Sequence, residues 1–117
     1  MRAGFMIRRV SGGSMLPALQ PGSLVIAAIR QGRGAYRPGQ VVIIAHDGIE
    51  KVKRITAVRP EVSAVGDGRG VRGRRNNRET VCEIFVKGDN DRGSSDSRDF
   101  GWLSVKTVKG RVIWPVL

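Results

Sequence analysis

Short apolar runs rich in β-branched residues recur along this 117-residue chain, and turn signals separate them. Leu24–Ile29 follows Pro21-Gly22, and residues 41–44 follow Pro38-Gly39. Such runs are too short for ordinary helices, and no segment keeps the helical apolar period of about 3.6 residues for three turns. The runs therefore predict strands joined by tight turns.

Other segments alternate apolar and polar side chains, as strands with one buried face do. These segments are residues 50–58 and 80–87, and residues 111–114 are interpreted as a last short strand. The first of them slips at Lys53-Arg54, and short helical turns are expected at residues 15–19 or 104–108. Because 16 Gly and 5 Pro make turns frequent, we expect an all-β fold. It would be one small coiled-sheet or barrel-like domain over residues 1–117, with little helix.

The chain is strongly basic, with 21 Lys and Arg against 10 Asp and Glu and a formal net charge of +11. Such a charge suggests an anionic partner. Five of the arginines, however, fall within residues 69–78, among Gly and Asn and without aromatic side chains that could stack on bases. We interpret residues 67–79 as a mobile, solvated basic loop. Nucleic acid is therefore not the expected partner, while peripheral contact with an anionic membrane remains open.

The counts of Cys and His and the length of the apolar runs exclude several classes of protein. One Cys cannot form an internal disulfide or a multi-Cys zinc site. No apolar run approaches the about 20 residues that span a bilayer, and the N-terminal segment lacks the apolar core of a secretory signal. We expect a soluble, cytoplasmic protein without metal or cofactor, and Phe85 and Trp114 in its core. The oligomeric state cannot be inferred from the sequence.

A candidate nucleophile lies in the segment Gly12-Gly13-Ser14. Two glycines allow a sharp turn and close approach of a substrate, so the loop could present a hydroxyl together with free backbone N–H groups. The base is harder to assign, because the single imidazole, His46, is expected to be exposed at a hairpin tip. A desolvated lysine can be neutral at ordinary pH, and Lys51 and Lys53 share one face of a regular strand. Strand geometry does not choose between these two lysines.

Residues 88–101 form a long polar segment dense in Asp, Asn and Ser. These side chains bond to nearby backbone, so the segment is expected to be a rigid loop in which Asp96 and Arg98 could pair across the turn. A calcium loop is a poor interpretation, because the EF-hand spacing is absent.

Taken together in this order, the three segments resemble the serine peptidases of the signal peptidase I family, the S26 type. The matching residues are Ser14-Met15-Leu16-Pro17-Ala18-Leu19, then Lys53-Arg54, then Gly88-Asp89-Asn90, Ser94, Asp96-Ser97-Arg98 and Gly101. The resemblance implies that Ser14 is the nucleophile and Lys53, rather than Lys51, the base. It also implies that Ser94 orients the lysine and that an Asp96–Arg98 salt bridge supports the site.

Two departures from the family pattern bear directly on the expected function. A second oxyanion-hole serine of many members is here Gly12, so the hole would rest on the Ser14 N–H with help from a neighbour such as Gly13. The membrane anchor of ordinary signal peptidases is also missing. The compact, anchorless pattern resembles the proteases that mature nickel-containing superoxide dismutase by trimming a propeptide in the cytoplasm.

The resemblance therefore implies a cofactor-free serine endopeptidase that removes a leader or propeptide from an extended protein precursor. The sequence leaves three other interpretations. One is an anchorless or truncated signal peptidase I that processes secretory signal peptides. A second is a self-cleaving repressor domain of the S24 type, which the third segment and the lack of a DNA-binding helical domain disfavour. A third is a non-catalytic basic module that binds nucleic acid or anionic membrane.

Overall fold

The computed structural model describes residues 4–29, 36–60, 81–90 and 95–117. Its strands, in chain order, are β1 (Phe5–Arg9), β2 (Leu24–Ile29), β3 (Val41–His46), β4 (Ile49–Pro60), β5 (Val81–Lys87), β6 (Leu103–Ser104) and β7 (Val108–Trp114). One turn of helix, α1 (Ser97–Phe100), precedes β6, and a 3-10 helix (Val105–Thr107) follows it. The strands form one seven-stranded antiparallel sheet in the order β1-β2-β7-β3-β4-β5-β6. The all-β prediction is therefore confirmed.

The central strand β3 is buried on both faces, and its two faces belong to different cores. Val42 and Ile44 pack into a core that continues through β4, β5 and β7. Val41 and Ile43 pack into a second core with side chains from β2 and from the segment between β1 and β2. A strand buried on both sides needs a continuous apolar run rather than an alternating one, which explains the sequence VVII.

The sheet coils strongly. Three strands separate β1 from β4 in the sheet order, yet Arg8 of β1 contacts Glu50 of β4 through an ion pair. The strands β1, β2, β7, β3 and β4 therefore curl around the second core, and β1 comes back toward β4 without pairing to it. This curl is the barrel-like character that the sequence predicted.

Several predictions need correction. Trp114 was expected in the core but is 55% exposed, and Phe85 is half-buried with its ring edge against Trp102. The slip at Lys53-Arg54 is not a break in the strand, because the register of β4 against β5 shifts between Ile55 and Ala57 and between Arg59 and Pro60, and not at Lys53-Arg54. The predicted basic loop at 67–79 lies outside the described residues.

Candidate active site

Lys53 lies in the middle of β4, directly opposite Val42 of β3, and only 3% of it is exposed. Paired residues of antiparallel strands point to the same face, so Lys53 points to the face of Val42, where an apolar side chain would be expected. Burial lowers the pKa of Lys53, the nearby Asp96 carboxylate opposes this, and the positive charges of Lys51 and Arg98 lower it further. The surroundings thus favour the neutral amine.

Ser14 lies in the loop between β1 and β2, in a turn that its neighbours fix. Gly12 has φ of +78°, a conformation that favours glycine, and Met15 is fully buried in the second core. Asn90 ties the loop to the end of β5, because its Nδ2 donates to the Gly13 carbonyl at 2.9 Å and its backbone N–H donates to the Ser14 carbonyl at 2.7 Å. The half-buried serine is therefore held from both sides.

A cavity of about 330 Å³ brings Ser14 and Lys53 to one surface. It is lined from one side by the end of β1 and the serine loop, and from the other by the first half of β4. Its lining residues are Arg8, Arg9, Val10, Ser11, Gly12, Gly13, Ser14, Met15, Ile43, Ile49, Glu50, Lys51, Val52, Lys53 and Ser95. The cavity is therefore a cleft between two strands rather than a closed hole.

The open side of β4 explains why a cleft exists there. On one side, residues 49–54 pair with β3, but on the other side β5 begins to pair only at Arg54. Among the described residues, no strand continues beside residues 49–52 on that side, and β1 is the last strand at its end of the sheet. Two strand edges therefore face each other across the cavity, with backbone groups available to an extended chain.

Arg54 anchors the polar segment to the sheet. Its Nε and Nη2 contact the two carboxylate oxygens of Asp89 at 2.9 and 2.8 Å, and its Nη1 donates to the Gly39 carbonyl at 2.9 Å. This two-pronged pair fixes Asp89 beside Asn90, which holds the serine loop. Adjacent residues of β4 thus serve different purposes: Lys53 reaches the cavity, and Arg54 holds the segment that positions Ser14.

Asp96 is the centre of a buried corner. It caps α1, and its carboxylate accepts hydrogen bonds from the backbone N–H groups of Gly88 and Arg98 and from the Arg98 guanidinium at 2.7 Å. Burial alone would raise the pKa of Asp96, but these hydrogen bonds outweigh it and hold the pKa well below the usual range. Ser97 beside it accepts from the Val86 N–H at 2.9 Å, so the corner is fastened to β5.

Lys51 of β4 and His46 of β3 both lie against the Phe100 side chain of α1. The His46 ring stacks on Phe100 with ring centres 4.1 Å apart, and the Lys51 Nζ lies 5.2 Å from the centre of the same ring. The prediction that His46 is exposed is wrong, since only 21% of its side chain is accessible. The imidazole is not among the residues that line the cavity.

The structure thus brings most of the predicted site residues together. Ser14, Lys53, Gly12 and Gly13 line one cavity, and Asp96 pairs with Arg98 behind it. Ser94 lies outside the described residues, so its predicted role remains a prediction. Within residues 4–29, 36–60, 81–90 and 95–117, no group of three or more His, Cys, Asp or Glu side chains could hold a metal ion.

Residue-by-residue reasoning missed three contributors to the site. Asn90 and Arg54 belong to the matched motifs, but their bonds to the serine loop and to Asp89 join distant segments. The Arg8–Glu50 pair lies in no motif. The only sequence signal that could have indicated the first two was a Gly-Asp-Asn run placed directly after a strand.

This arrangement defines a class: an all-β domain with a serine loop and a buried lysine at an open strand edge. No protein-family model matches the chain. It is 31% identical over 115 residues to the mitochondrial ATP-independent inner membrane protease subunit 1b of Arabidopsis thaliana, a match that covers 90% of this chain and 66% of that protein. The chain thus spans about two thirds of its relative's length. The match supports assigning the chain to the signal peptidase I-like proteases of the S26 type.

The relative is named as a protease of an inner membrane. In the parts of this chain that the structure describes, no helix has the length and apolar character needed to cross a bilayer.

Proposed function

We propose that this protein is a serine endopeptidase in which Ser14 and Lys53 form the catalytic dyad. The observation that carries the proposal is the shared cleft, in which the serine loop faces a lysine that is 3% exposed and whose pKa burial lowers. A neutral amine beside a serine can act as its base, as it does in other Ser-Lys enzymes. The protease relative supports the same activity.

In this mechanism the Ser14 Oγ attacks the carbonyl carbon of the scissile peptide bond, and its proton passes to the Lys53 Nζ. The Ser14 N–H, with help from the Gly12-Gly13 turn, stabilises the oxyanion of the tetrahedral intermediate. Collapse breaks the C–N bond, and the lysine ammonium protonates the leaving amine. Lys53 then takes a proton from a water molecule that attacks the acyl carbon of the ester on Ser14. The acyl C–Oγ bond breaks, and the Lys53 ammonium returns the proton to the Ser14 Oγ, which regenerates the dyad. Ser94 is proposed to orient the lysine.

The substrate is proposed to enter as an extended chain. Two strand edges, β1 and the first half of β4, face the cleft, and a peptide between them could pair main chain to main chain with either one. Such pairing is proposed to bring the scissile carbonyl to the serine loop, beside the buried lysine. It also favours flexible precursor segments over folded domains, since only the former can adopt a strand in the cleft.

The expected substrate is a protein precursor with an N-terminal leader or propeptide, such as the precursor of nickel-containing superoxide dismutase. Secretory signal peptides are the alternative substrate. The test is to incubate the purified protein with both kinds of precursor and to identify the new N-termini by mass spectrometry. Cleavage of the dismutase precursor alone supports maturation, and cleavage of signal peptides alone supports the alternative. Cleavage of neither by the native chain would reject both substrates. The proposed cytoplasmic location remains a prediction.

A second proposal, contact with an anionic membrane, has a specific observation in its favour. The outer face of β1, β2 and β7 exposes large apolar side chains: Phe5 63%, Ile7 59%, Leu24 44% and Trp114 55%. A face of this kind on a chain of net charge +11 is complementary to a bilayer with acidic headgroups.

Sedimentation with lipid vesicles tests this second proposal. We expect the protein to sediment with phosphatidylcholine vesicles that contain phosphatidylserine more than with vesicles that lack it. Replacing Phe5 and Ile7 together by Ser leaves the charge unchanged and should reduce sedimentation. If the double variant binds as well as the native protein, the apolar face is not the contact. If Ser14→Ala retains vesicle binding and the native chain cleaves no precursor, the non-catalytic module becomes the better description.

A further inference from the structure

The cleft is crossed by an ion pair. Arg8 of β1 places its Nε 2.6 Å from Glu50 Oε1 and its Nη2 3.3 Å from Glu50 Oε2, and both residues line the cavity. The two strands are separated by β2, β7 and β3 in the sheet, so the pair forms only because the sheet coils. It joins the two strand edges that face each other beside Ser14 and Lys53. We refer to the Arg8–Glu50 pair as the clasp.

Stability alone is a weak reason for the clasp. The side chains of Arg8 and Glu50 are 43% and 38% exposed, and ion pairs with this exposure contribute little to folding because water screens them. The protein contains a close match in chemistry and exposure. Arg59 and Glu83 pair at 2.9 Å with 47% and 35% exposed side chains, but they join the neighbouring strands β4 and β5 and do not line the cavity. The clasp therefore differs in its position.

The charges around the clasp are unequal. The hydrogen bond from Arg8 holds the pKa of Glu50 below its usual value against the effect of burial, and the charge of Lys109 acts in the same direction. Arg9 and Lys51 also line the cleft, whereas Glu50 is the only carboxylate among its lining residues in the described parts of the chain. The wall of the cleft therefore has an excess of positive charge beside the clasp.

We propose that the clasp determines the charge specificity of the cleft, so that it selects extended peptides carrying an acidic side chain where they cross Arg8 and Glu50. A peptide strand in the cleft displaces water from the half-exposed pair, which strengthens every interaction among the charges that remain. A substrate carboxylate then gains Arg8 as a partner in an already cationic wall. A substrate ammonium meets that same wall and is disfavoured. This inference rests on the proposed function, because it takes the cleft to be the substrate site.

Peptide binding tests the clasp separately from catalysis. The full chain with Ser14→Ala is titrated into fluorescein-labelled peptides that share one Ala- and Ser-rich sequence and carry Asp, Asn or Lys at alternate positions. Fluorescence anisotropy gives the ratio of dissociation constants for the Lys and Asp peptides. We expect the Asp peptide to bind more tightly. Arg8→Gln should reduce this preference about fivefold, the factor that one partly desolvated charge pair can supply, and Glu50→Gln should increase it.

The matched pair supplies the controls. Arg59→Gln and Glu83→Gln change the net charge by the same amounts as Arg8→Gln and Glu50→Gln, but away from the cleft, and should leave the preference unchanged. Equal effects of Arg8→Gln and Arg59→Gln would overturn the proposal, because net charge would then explain the preference. So would a preference that neither Arg8→Gln nor Glu50→Gln alters. Should Arg8→Gln fail to fold, Glu50→Gln against Glu83→Gln decides the matter alone.

Cleavage by the native Ser14 chain is measured in parallel. If no peptide or precursor is cleaved but the Arg8-dependent preference is present, the protease function fails and the charge selection by the clasp stands. If peptides are cleaved without regard to charge, the specificity proposal fails and the protease function stands.

Discussion

Asp96 and Lys53 are the two charged side chains that are buried within the described residues, and the protein treats them in opposite ways. Asp96 accepts hydrogen bonds from two backbone N–H groups and from a guanidinium, and these hold its pKa down against burial. For Lys53, burial is the largest influence and it lowers the pKa. One site therefore retains its charge, and the other favours its loss.

Arg98 links the two sites. The negative charge of Asp96 would by itself stabilise the ammonium form of Lys53, but Arg98 and Lys51 act on the lysine in the opposite direction. Because Arg98 binds Asp96 directly, the pair presents a nearly neutral neighbour to the lysine. Desolvation then remains the largest influence on the pKa of Lys53. The comparison teaches that a buried carboxylate with all of these hydrogen bonds can lie near a buried lysine without outweighing the effect of desolvation on it.

The largest expected effect separates the dyad from its neighbour. Ser14→Ala and Lys53→Ala should each reduce precursor cleavage by about a thousandfold or more, since they remove the proposed nucleophile or the proposed base. Lys51→Ala, which removes a lysine from the same cleft and the same strand face, should retain cleavage. Initial rates by mass spectrometry measure all three. Loss of activity in Lys51→Ala together with activity in Lys53→Ala would show that the base has been assigned to the wrong lysine.

The next largest expected effect concerns the buried carboxylate of Asp96. Asp96→Asn should destabilise the fold by about 3 kcal/mol, because it leaves the Arg98 guanidinium and buried donors without their carboxylate. Urea unfolding at neutral pH measures the loss, with Glu83→Gln as the control that breaks an exposed carboxylate–arginine pair.

The lowered pKa of Asp96 determines how the stability difference between the native protein and Asp96→Asn depends on pH. Its stabilisation is complete above the unfolded-state pKa of about 3.9 and is lost as pH falls below that value, so the native protein and Asp96→Asn should converge in acid. A difference that stays constant down to strongly acidic pH would show that the ionised carboxylate is not its source.

The third effect has the opposite sign. Lys53→Met should stabilise the protein by about 1 kcal/mol at neutral pH, because an apolar side chain of similar length replaces a group that burial disfavours when charged. The folded-state pKa of Lys53 is below its unfolded value. The destabilisation of the native protein by Lys53 is therefore complete below the folded-state pKa and disappears as pH rises toward the unfolded-state pKa of about 10.4. Urea unfolding from neutral to alkaline pH should show the two proteins converging; a destabilised Lys53→Met would contradict the desolvation argument.

Much of the fold could be predicted because several strands show apolar runs or an alternation of apolar and polar side chains in the sequence. Strand β1 could not, since its sequence FMIRR shows no usable alternation: Phe5 and Ile7 are apolar on the exposed face, while Arg8 points toward the cleft. The apparent slip in β4 had a similar cause. Lys53 occupies a core-facing position, so a buried polar residue concealed a regular strand.

Only part of the candidate site could be predicted from the sequence alone. Alternation placed Lys51 and Lys53 on one face and could not choose between them. The structure distinguishes them: Lys53 lies opposite Val42 and is buried, whereas Lys51 is half-buried and lies against the Phe100 ring of α1. Both features depend on contacts between segments distant in sequence, as does the meeting of Arg8 with Glu50. Such contacts follow from the coiling of the sheet, which local patterns do not specify.

The smallest expected effect concerns Asn90, which connects the polar segment after β5 to the serine loop. Asn90→Ala removes the side-chain hydrogen bond to the Gly13 carbonyl while leaving the backbone bond to Ser14 in place, so it should cost about 1 kcal/mol of stability. Because the serine loop loses one of the two described hydrogen bonds that Asn90 donates to it, we expect kcat to fall about tenfold with little change in peptide affinity. Gln40→Ala is the matched control, since it removes a side-chain bond to the Arg37 N–H away from the cleft. Equal kcat values for the two variants would mean that Asn90 stabilises the fold without positioning Ser14.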